Sequence, residues 1–359
     1  MRKLQMIWWN VQRLFSPVPS PLSLSLDATS NKGWTKEAYD IKISAIASVL
    51  CQITGGITPA LIGFAEVENS DVVKDIISAL NWVDLIEPTD NPPWIVGTDV
   101  TLLYSKKEFE LVGTPTSHNV HNLYATRDIF EVTLRHNSGE ELIVLANHWP
   151  SRRISNSEPL RIGLSDHCRQ IVNVKLKISY TNLSKADGSA NLPEYSILYK
   201  QWNRPLLVVG DFNDEPFNVS ASEYLEVTRS KDQVTKKPRL PRKSNLTSIS
   251  SYMSLKPDLY NPSWSLLVNQ TGPAGTTFWS GNWYLLDHIM VSRGLLGNNS
   301  KLQYNEHSLR IFADKKVPNI KGGSDIKFLT STGKPVAYDA KTGKGVSDHL
   351  PLVWEMVVK

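Results

Sequence analysis

Five apolar runs in this chain are each bounded by acid, amide or imidazole groups. LQMIWWN ends at Asn10, PALIGFAEVEN holds Glu66, and LIVLANHWPSR holds Asn147 and His148. PLLVVGDFNDEP holds Asp211 and Asn213, and GVSDHLPLVWEMV sets Asp348 and His349 at its polar edge. A short apolar run bounded by polar residues reads as a buried strand. When such strands lie in packed sheets, their polar ends gather at one edge of the core, where a rigid scaffold positions reactive groups. Carboxylate and amide oxygens are hard donors, suited to magnesium, manganese or calcium rather than zinc. Together these residues predict one metal-dependent centre that cleaves phosphodiesters.

The sharpest motif is GDFND, Gly210 to Asp214. Strand side chains alternate with period two, so Asp211 and Asn213 reach the same side. Asp211 can hold or deprotonate an attacking water while the Asn213 amide orients water or a phosphate oxygen. The competing reading is a plain turn, since Asn-Asp often terminates a strand. Glu66 follows PALIGFA as a metal-ligand candidate, with Glu68 as its rival. Asn10 is either a turn residue or a group that fixes a metal-bound carboxylate. In SDHLPLVW, Asp348 can reach the metal, and His349 can contact the scissile phosphate or protonate the leaving oxygen. Asp287, inside WYLLDHIMV, is suited to hold His349 in one tautomer. Ser165-Asp166-His167 repeats the tripeptide within an amphipathic helix and reads as a decoy. His148 and Arg127 supply donors for the equatorial oxygens of a transferring phosphoryl group.

These side chains need elements to carry them. Helices are predicted at 35–52, with Thr35 as N-cap, at 69–80, capped by Asn69 or Ser70, and at 157–178. Strands are predicted at 4–9, 59–65, 99–104, 108–113, 127–135, 141–147, 205–210, 276–280, 283–292 and 350–357. Ser280-Gly281-Asn282-Trp283 predicts a tight hairpin with Gly-Asn at the positive-φ positions. The mixture implies an α/β sandwich, two packed sheets with helices outside. No internal repeat or linker divides the chain, so a single domain over 1–359 is expected, with loop insertions near 15–33, 181–203 and 229–252.

The chain has 359 residues and a net charge of +4, with a pI near 8.8. That mild basicity is compatible with a polyanionic substrate. Cys51 and Cys168 form no CxxC pair, which argues against a disulfide framework or a cysteine zinc site. The apolar stretch at 4–9 is too short for the core of a signal peptide. No segment approaches the ~20 apolar residues of a membrane span. A cytoplasmic monomer is expected, with no protein partner to infer.

The order of these motifs resembles the endonuclease/exonuclease/phosphatase superfamily of deoxyribonuclease-like metal-dependent phosphohydrolases, and a bacterial branch of it. The match runs from Asn10 to the last strand, nearly the whole chain. It is carried by WNVQRL, KEAYDIKISAIASVL, AEVEN, DVTLLYS, NHWPSR, GDFNDEP and GNWYLLDHIMVS. The resemblance implies a four-layered α/β sandwich of mainly antiparallel sheets and a hydrolase using Mg2+ or Mn2+. It implies Glu66 as main metal ligand with Asn10 and Asp348 beside it, and Asp211 acting on the water that Asn213 positions. Asp287 would pair with His349, while His148 and Arg127 would touch phosphate. The chain departs from the branch at His288, where Gln is usual, and at Trp94-Ile95-Val96-Gly97, where a basic residue is usual.

For substrate, nucleic acid is the first expectation. The segment from Arg229 to Lys243, including Lys236 and Lys237, is dense in Lys and Arg, and Arg152, Arg153 and Arg161 form a second cluster. Both could follow a phosphate backbone. The alternative is a small-molecule or lipid phosphoesterase, with Phe278, Trp279, Trp283 and Tyr284 reaching a membrane surface. A binding module with a dead site is disfavoured by Glu66, Asp211, Asn213, Asp348 and His349 occurring together.

Overall fold

The computed structural model describes residues 1–17, 34–88, 99–120, 127–178, 194–235, 252–268, 272–297 and 300–359. In chain order the first half runs β1 (Arg2–Leu14), α1 (Lys36–Thr54), β2 (Leu61–Val67), α2 (Ser70–Leu80), β3 (Leu85–Ile86), β4 (Asp99–Ser105), β5 (Phe109–Leu111), β6 (Thr116–His118), β7 (Ile129–His136), β8 (Glu141–His148) and α3 (Glu158–Leu176). It continues with α4 (Tyr195–Trp202), β9 (Leu206–Asp211), β10 (Val227–Thr228), α5 (Lys231–Thr235), β11 (Leu259–Tyr260), β12 (Thr277–Trp279), β13 (Asn282–Tyr284), β14 (Asp287–Ser292), β15 (Leu302–Tyr304), β16 (Arg310–Ile311) and β17 (Leu352–Val358).

Among the described residues, one sheet has seven strands in the order β15-β17-β1-β2-β4-β3, with β16 on β17. The other has eight, in the order β10-β11-β14-β9-β8-β7-β5, with β6 on β7. Both are mainly antiparallel, but β1 with β2, β8 with β9 and the short β10 with β11 are parallel pairs. Alternate side chains of each central strand enter different cores. Met6 and Trp8 of β1 meet Val144, Val209 and Ile289 of the second sheet. Ile7 and Trp9 instead pack on Ile46 and Val49 of α1. On the far side, Ile143, Leu145 and Val208 pack on Leu164 and Cys168 of α3. The layers are therefore helix, sheet, sheet, helix, and the doubly buried central strands read as unbroken apolar runs. No helix among the described residues is long and apolar enough to cross a membrane.

This topology collects the polar ends. Parallel β1 and β2 finish at the same edge, and antiparallel β17 begins there. Parallel β8 and β9 finish together in the second sheet, and antiparallel β14 begins there with Asp287 directly opposite Asp211. The predicted helices are present with their caps. Thr35 accepts the Ala38 N–H at 3.1 Å, and Asn69 accepts those of Asp71 and Val72 at 3.0 and 3.2 Å.

Three expectations change. The strand at 283–292 is two elements: Tyr284 pairs with Thr277 in a separate ribbon, while Asp287 joins the eight-stranded sheet. Between them, the N–H groups of Leu286 and Asp287 both face Thr276 Oγ1 at 3.3 Å. A continuous apolar run carries no mark of such a change of sheet. The hairpin turn lies one residue earlier than predicted, with positive φ at Ser280 (47°) and Gly281 (86°), as a two-residue loop of this type requires. The 181–203 insertion contains the helix α4, whose Leu198 and Trp202 pack on Tyr252. Residues 18–33, 181–193 and 236–251 of the expected insertions lie outside the described residues.

Candidate active site

A cleft of about 500 Å³ opens where the two sheets present their polar ends. Glu66, Arg127, His148, Asp211, Asn213, Asp348 and His349 line it, with Arg152 and Arg153. The sequence motifs thus converge on one place, although Asp287 and Asn10 sit just behind its wall.

Glu66 owes its aim to a bulge. It has φ 65°, and the pairing of β2 shifts on both sides between Ala65 and Val67. A bulge re-aims one side chain out of the alternating pattern. β1 kinks beside it, with Gln12 at φ 53° and Arg13 at 48°. That kink points the Arg13 N–H at Glu66 Oε2, 2.8 Å away. Asn10 ties the two sheets together: its Nδ2 donates to Asp211 Oδ2 at 2.9 Å and to Glu66 Oε1 at 3.2 Å. Its Oδ1 accepts the Gln12 N–H at 2.9 Å. Beneath this turn, the fully buried Lys42 of α1 donates to the Gln12 carbonyl. Burial pushes the Lys42 amine down to about 7, against the pull of Glu66 and Asp348. Sequence reading missed Lys42, although a lysine between Tyr39 and Ile43 on an apolar helix face was a legible signal.

Asp287, His349 and Asp211 form the second part. His349 Nδ1 donates to Asp287 Oδ2 at 2.8 Å, and its Nε2 lies 3.7 Å from Asp211 Oδ2. The other Asp287 oxygen accepts Trp8 Nε1–H at 2.9 Å. Ser347 fixes the histidine's backbone: its Oγ donates to Asn10 O at 2.7 Å and accepts the His349 N–H at 3.1 Å. Burial alone would neutralise His349, but Asp287 and Asp211 outweigh it and hold the imidazole well above its usual range. Burial, reinforced by Asp287, pushes Asp211 up to about 7, against the opposing charge of His349. A proton acceptor and a charged donor therefore face each other near neutral pH.

His148 lies across β8 from Asp211. Its Nε2 is 3.8 Å from both Glu66 Oε1 and Asp211 Oδ2. Burial and then Arg127 hold it well below the usual range, so it is neutral. Burial also opposes charge on Glu66, yet its carboxyl is held down at about 2. Since His148 is neutral, Arg127, the Asn10 amide and the charged His349 are the groups that favour that carboxylate.

Several expected roles shift. Asn213 takes φ 50° after β9, and its Nδ2 is committed to Trp149 O at 2.9 Å. One N–H and the amide oxygen remain for the cleft, so the side chain can still orient a water or a phosphate oxygen. Arg161 is buried on Asp214 Oδ2 at 2.8 Å and follows no backbone. Arg152 lines the cleft but is largely engaged by Asn213 O, Asp214 and Asn218. Arg153 is the exposed member, 3.8 Å from Asp348. Lys236, Lys237 and the Trp94–Gly97 step lie outside the described residues. His288 turns away from the cleft, donating to Leu285 O at 2.8 Å against the Phe212 ring. His167 sits on α3 beside His118, remote from the cleft.

Two positions compete for a cation. Asp211, Asp287 and His349 bring ligand-type atoms within 4.8 Å of one another. There, however, a protonated imidazole committed to Asp287 offers no lone pair. Glu66, Asp348 and the amide of Asn10 form the other set, in which each member offers a hard oxygen donor. The Glu66 side fits a divalent cation better.

Comparison with known proteins agrees with this geometry. The sequence profile of the Endonuclease/Exonuclease/phosphatase family matches residues 5–182 and 184–358. No curated protein sequence matches the chain. Among solved structures, an endonuclease/exonuclease/phosphatase from Bacteroides vulgatus superposes over 100% of both chains at 10% identity, with a TM-score of 0.54. The human Nocturnin catalytic domain with bound sulfate covers 99% of this chain and 95% of its own at 16% identity, with a TM-score of 0.50. D. rerio TDP2 complexed with a single-strand DNA product covers 99% of each at 11% identity, with a TM-score of 0.51. Identities this low establish the fold alone. The profile, reaching from the first strand to the last and through each motif that builds the cleft, places this chain in the Endonuclease/Exonuclease/phosphatase family.

Proposed function

We propose that the protein is a divalent-metal-dependent phosphodiester hydrolase that cleaves nucleic acid. The observation that carries this reading is the pairing of Asp211, raised to about 7, with a charged His349 in a cleft edged by Arg127, Arg152 and Arg153. Glu66, with Asp348 and Asn10 beside it, holds Mg2+ or Mn2+. When bound, the cation supplies positive charge to the phosphate oxygens. Asp211 accepts a proton from the attacking water, which Asn213 Oδ1 helps to orient. His349, fixed through Nδ1 by Asp287, donates from Nε2 to the phosphate or to the leaving oxygen. Neutral His148 and Arg127 donate to the equatorial oxygens, where charge accumulates. The cationic rim favours a polyanion. The basic segment from Lys236 to Lys243 adds sequence support for nucleic acid, as does the single-strand product that D. rerio TDP2 holds on the same fold.

The test is hydrolysis of supercoiled plasmid, single strands and a chromogenic phosphodiester with magnesium or manganese, with and without EDTA. Cleavage of the single strands and of the chromogenic diester that disappears in EDTA is expected. Full activity in excess chelator would overturn the metal assignment. Turnover of the small diester alone would restrict the protein to small phosphoesters.

A further inference from the structure

Three arginine–aromatic pairs run outward from the cleft. The Arg153 guanidinium lies 5.7 Å from the Trp279 ring centre, Arg152 lies 5.6 Å from Tyr284, and Arg229 lies 5.6 Å from Trp264. The pairs are connected. Trp279 and Tyr284, on neighbouring strands of the β12–β13 ribbon, have ring centres 6.3 Å apart. Arg152 reaches Asn218 Oδ1 at 2.5 Å, and the adjacent Phe217 has its ring 6.2 Å from Trp264.

Two of these rings are held in water. Trp279 is 44% exposed and Phe217 50% exposed. The ribbon shows that this is a choice of face. Thr277, Trp279 and Tyr284 line the cleft, whereas Trp283, from the opposite face, packs on the core around α1. Phe278 on that face lies under Lys334, 3.8 Å from its ring centre. A ribbon that needed only to bury its aromatics had a core available and used it for Trp283.

Rings interleaved with guanidinium groups cannot sink into hydrocarbon without drawing the charges along, so a lipid surface would hold them only at its headgroups. They suit an unpaired polynucleotide. Every base has a π-face that stacks on an aromatic ring, and each arginine can answer a phosphate while covering the ring's other neighbour. Bases in a duplex are already stacked on each other and present no such face.

The geometry points to a single-strand track: Trp279 and Tyr284, then Phe217 and Trp264, receive successive unpaired bases while Arg153 and Arg229 neutralise phosphates along it. This rests on the nuclease reading above and specifies its substrate as single-stranded nucleic acid or a frayed end.

The test uses the full chain in EDTA, which stops turnover. Two fluorescent 12-nucleotide probes are titrated, one of thymidines and one of abasic sites with the same phosphates. The thymidine strand should bind about fivefold tighter or more, because stacking is worth ~1–3 kcal/mol per base. Trp279→Ala and Phe217→Ala should each remove most of that difference. Trp279→Phe should restore it and Trp279→Leu should not, because leucine is apolar but offers no ring. Equal affinity for both strands, or a leucine variant equal to wild type, overturns the track. Trp279-dependent binding to phosphatidylcholine–phosphatidylserine vesicles, retained by the leucine variant, overturns it in favour of a lipid surface. Metal-dependent cleavage of a chromogenic phosphodiester is measured in parallel. If that cleavage persists and the stacking test fails, only the track falls; if no phosphodiester is cleaved with metal, the hydrolase reading falls whatever the strands do.

Discussion

At the scale of the residue, the proposed centre depends on two groups that are both shifted upward. In the proposed mechanism Asp211 can act as the base only as pH rises through about 7, and His349 remains charged well above its usual range. Activity should therefore climb toward neutral pH and fall only on the alkaline side. Asp287 raises both groups, so Asp287→Asn should move both limbs of the pH–rate profile toward lower pH. An unchanged or alkaline-shifted profile contradicts the proposed relay. His349→Ala and Asp211→Asn should each reduce turnover at least ~100-fold, the scale of a lost general acid or base. His167→Ala should stay within a few-fold, because that ring sits on a helix beside His118. A dead His167 variant beside an active His349 variant would relocate the site.

At the scale of the element, close strand contact is what brings Asp211 to the cleft. A Cβ on Gly210 would stand 2.4 Å from the Asn147 carbonyl oxygen, a backbone atom that cannot swing aside. Gly210→Ala should destabilise by about 1–3 kcal/mol or more, as overpacking does, and also misplace Asp211. Urea denaturation checks this: wild-type stability in the variant would show that β8 and β9 can part freely. The helices were readable with their caps, because Thr35 and Asn69 act through local hydrogen bonds. The split of 283–292 was not readable. Leu285 and Leu286 are as apolar as their neighbours, and only pairing partners distinguish ribbon from sheet.

At the scale of the molecule, the site straddles the sandwich. Glu66 and Asn10 come from one sheet and Asp211 and His148 from the other. A cation that binds the folded chain alone stabilises it by RT ln(1 + [L]/Kd), about 2.7 kcal/mol at a hundredfold excess over Kd. Magnesium or manganese should raise Tm by a few degrees, and Glu66→Gln should abolish the rise without loss of fold. A cation-dependent rise that survives in Glu66→Gln would place the metal elsewhere, with the Asp211–Asp287–His349 group the first alternative.

The sequence by itself determined the layered α/β architecture, because buried strands must be apolar on both faces and amphipathic helices must cover them. It also named the polar side chains that line the cleft, because acids, amides and imidazoles at the ends of such strands are costly unless they are used. Tertiary structure decided their partners. That Trp8 braces Asp287, that Arg13 offers its backbone to Glu66, and that Lys42 supports the turn between them depend on chain segments far apart in sequence. It likewise sent Arg161 into the interior and left Arg153 beside an exposed Trp279. Residue type fixes what a side chain can do. The electrostatic company it keeps, and hence whether an arginine binds substrate or merely holds Asp214, is set by packing between sheets.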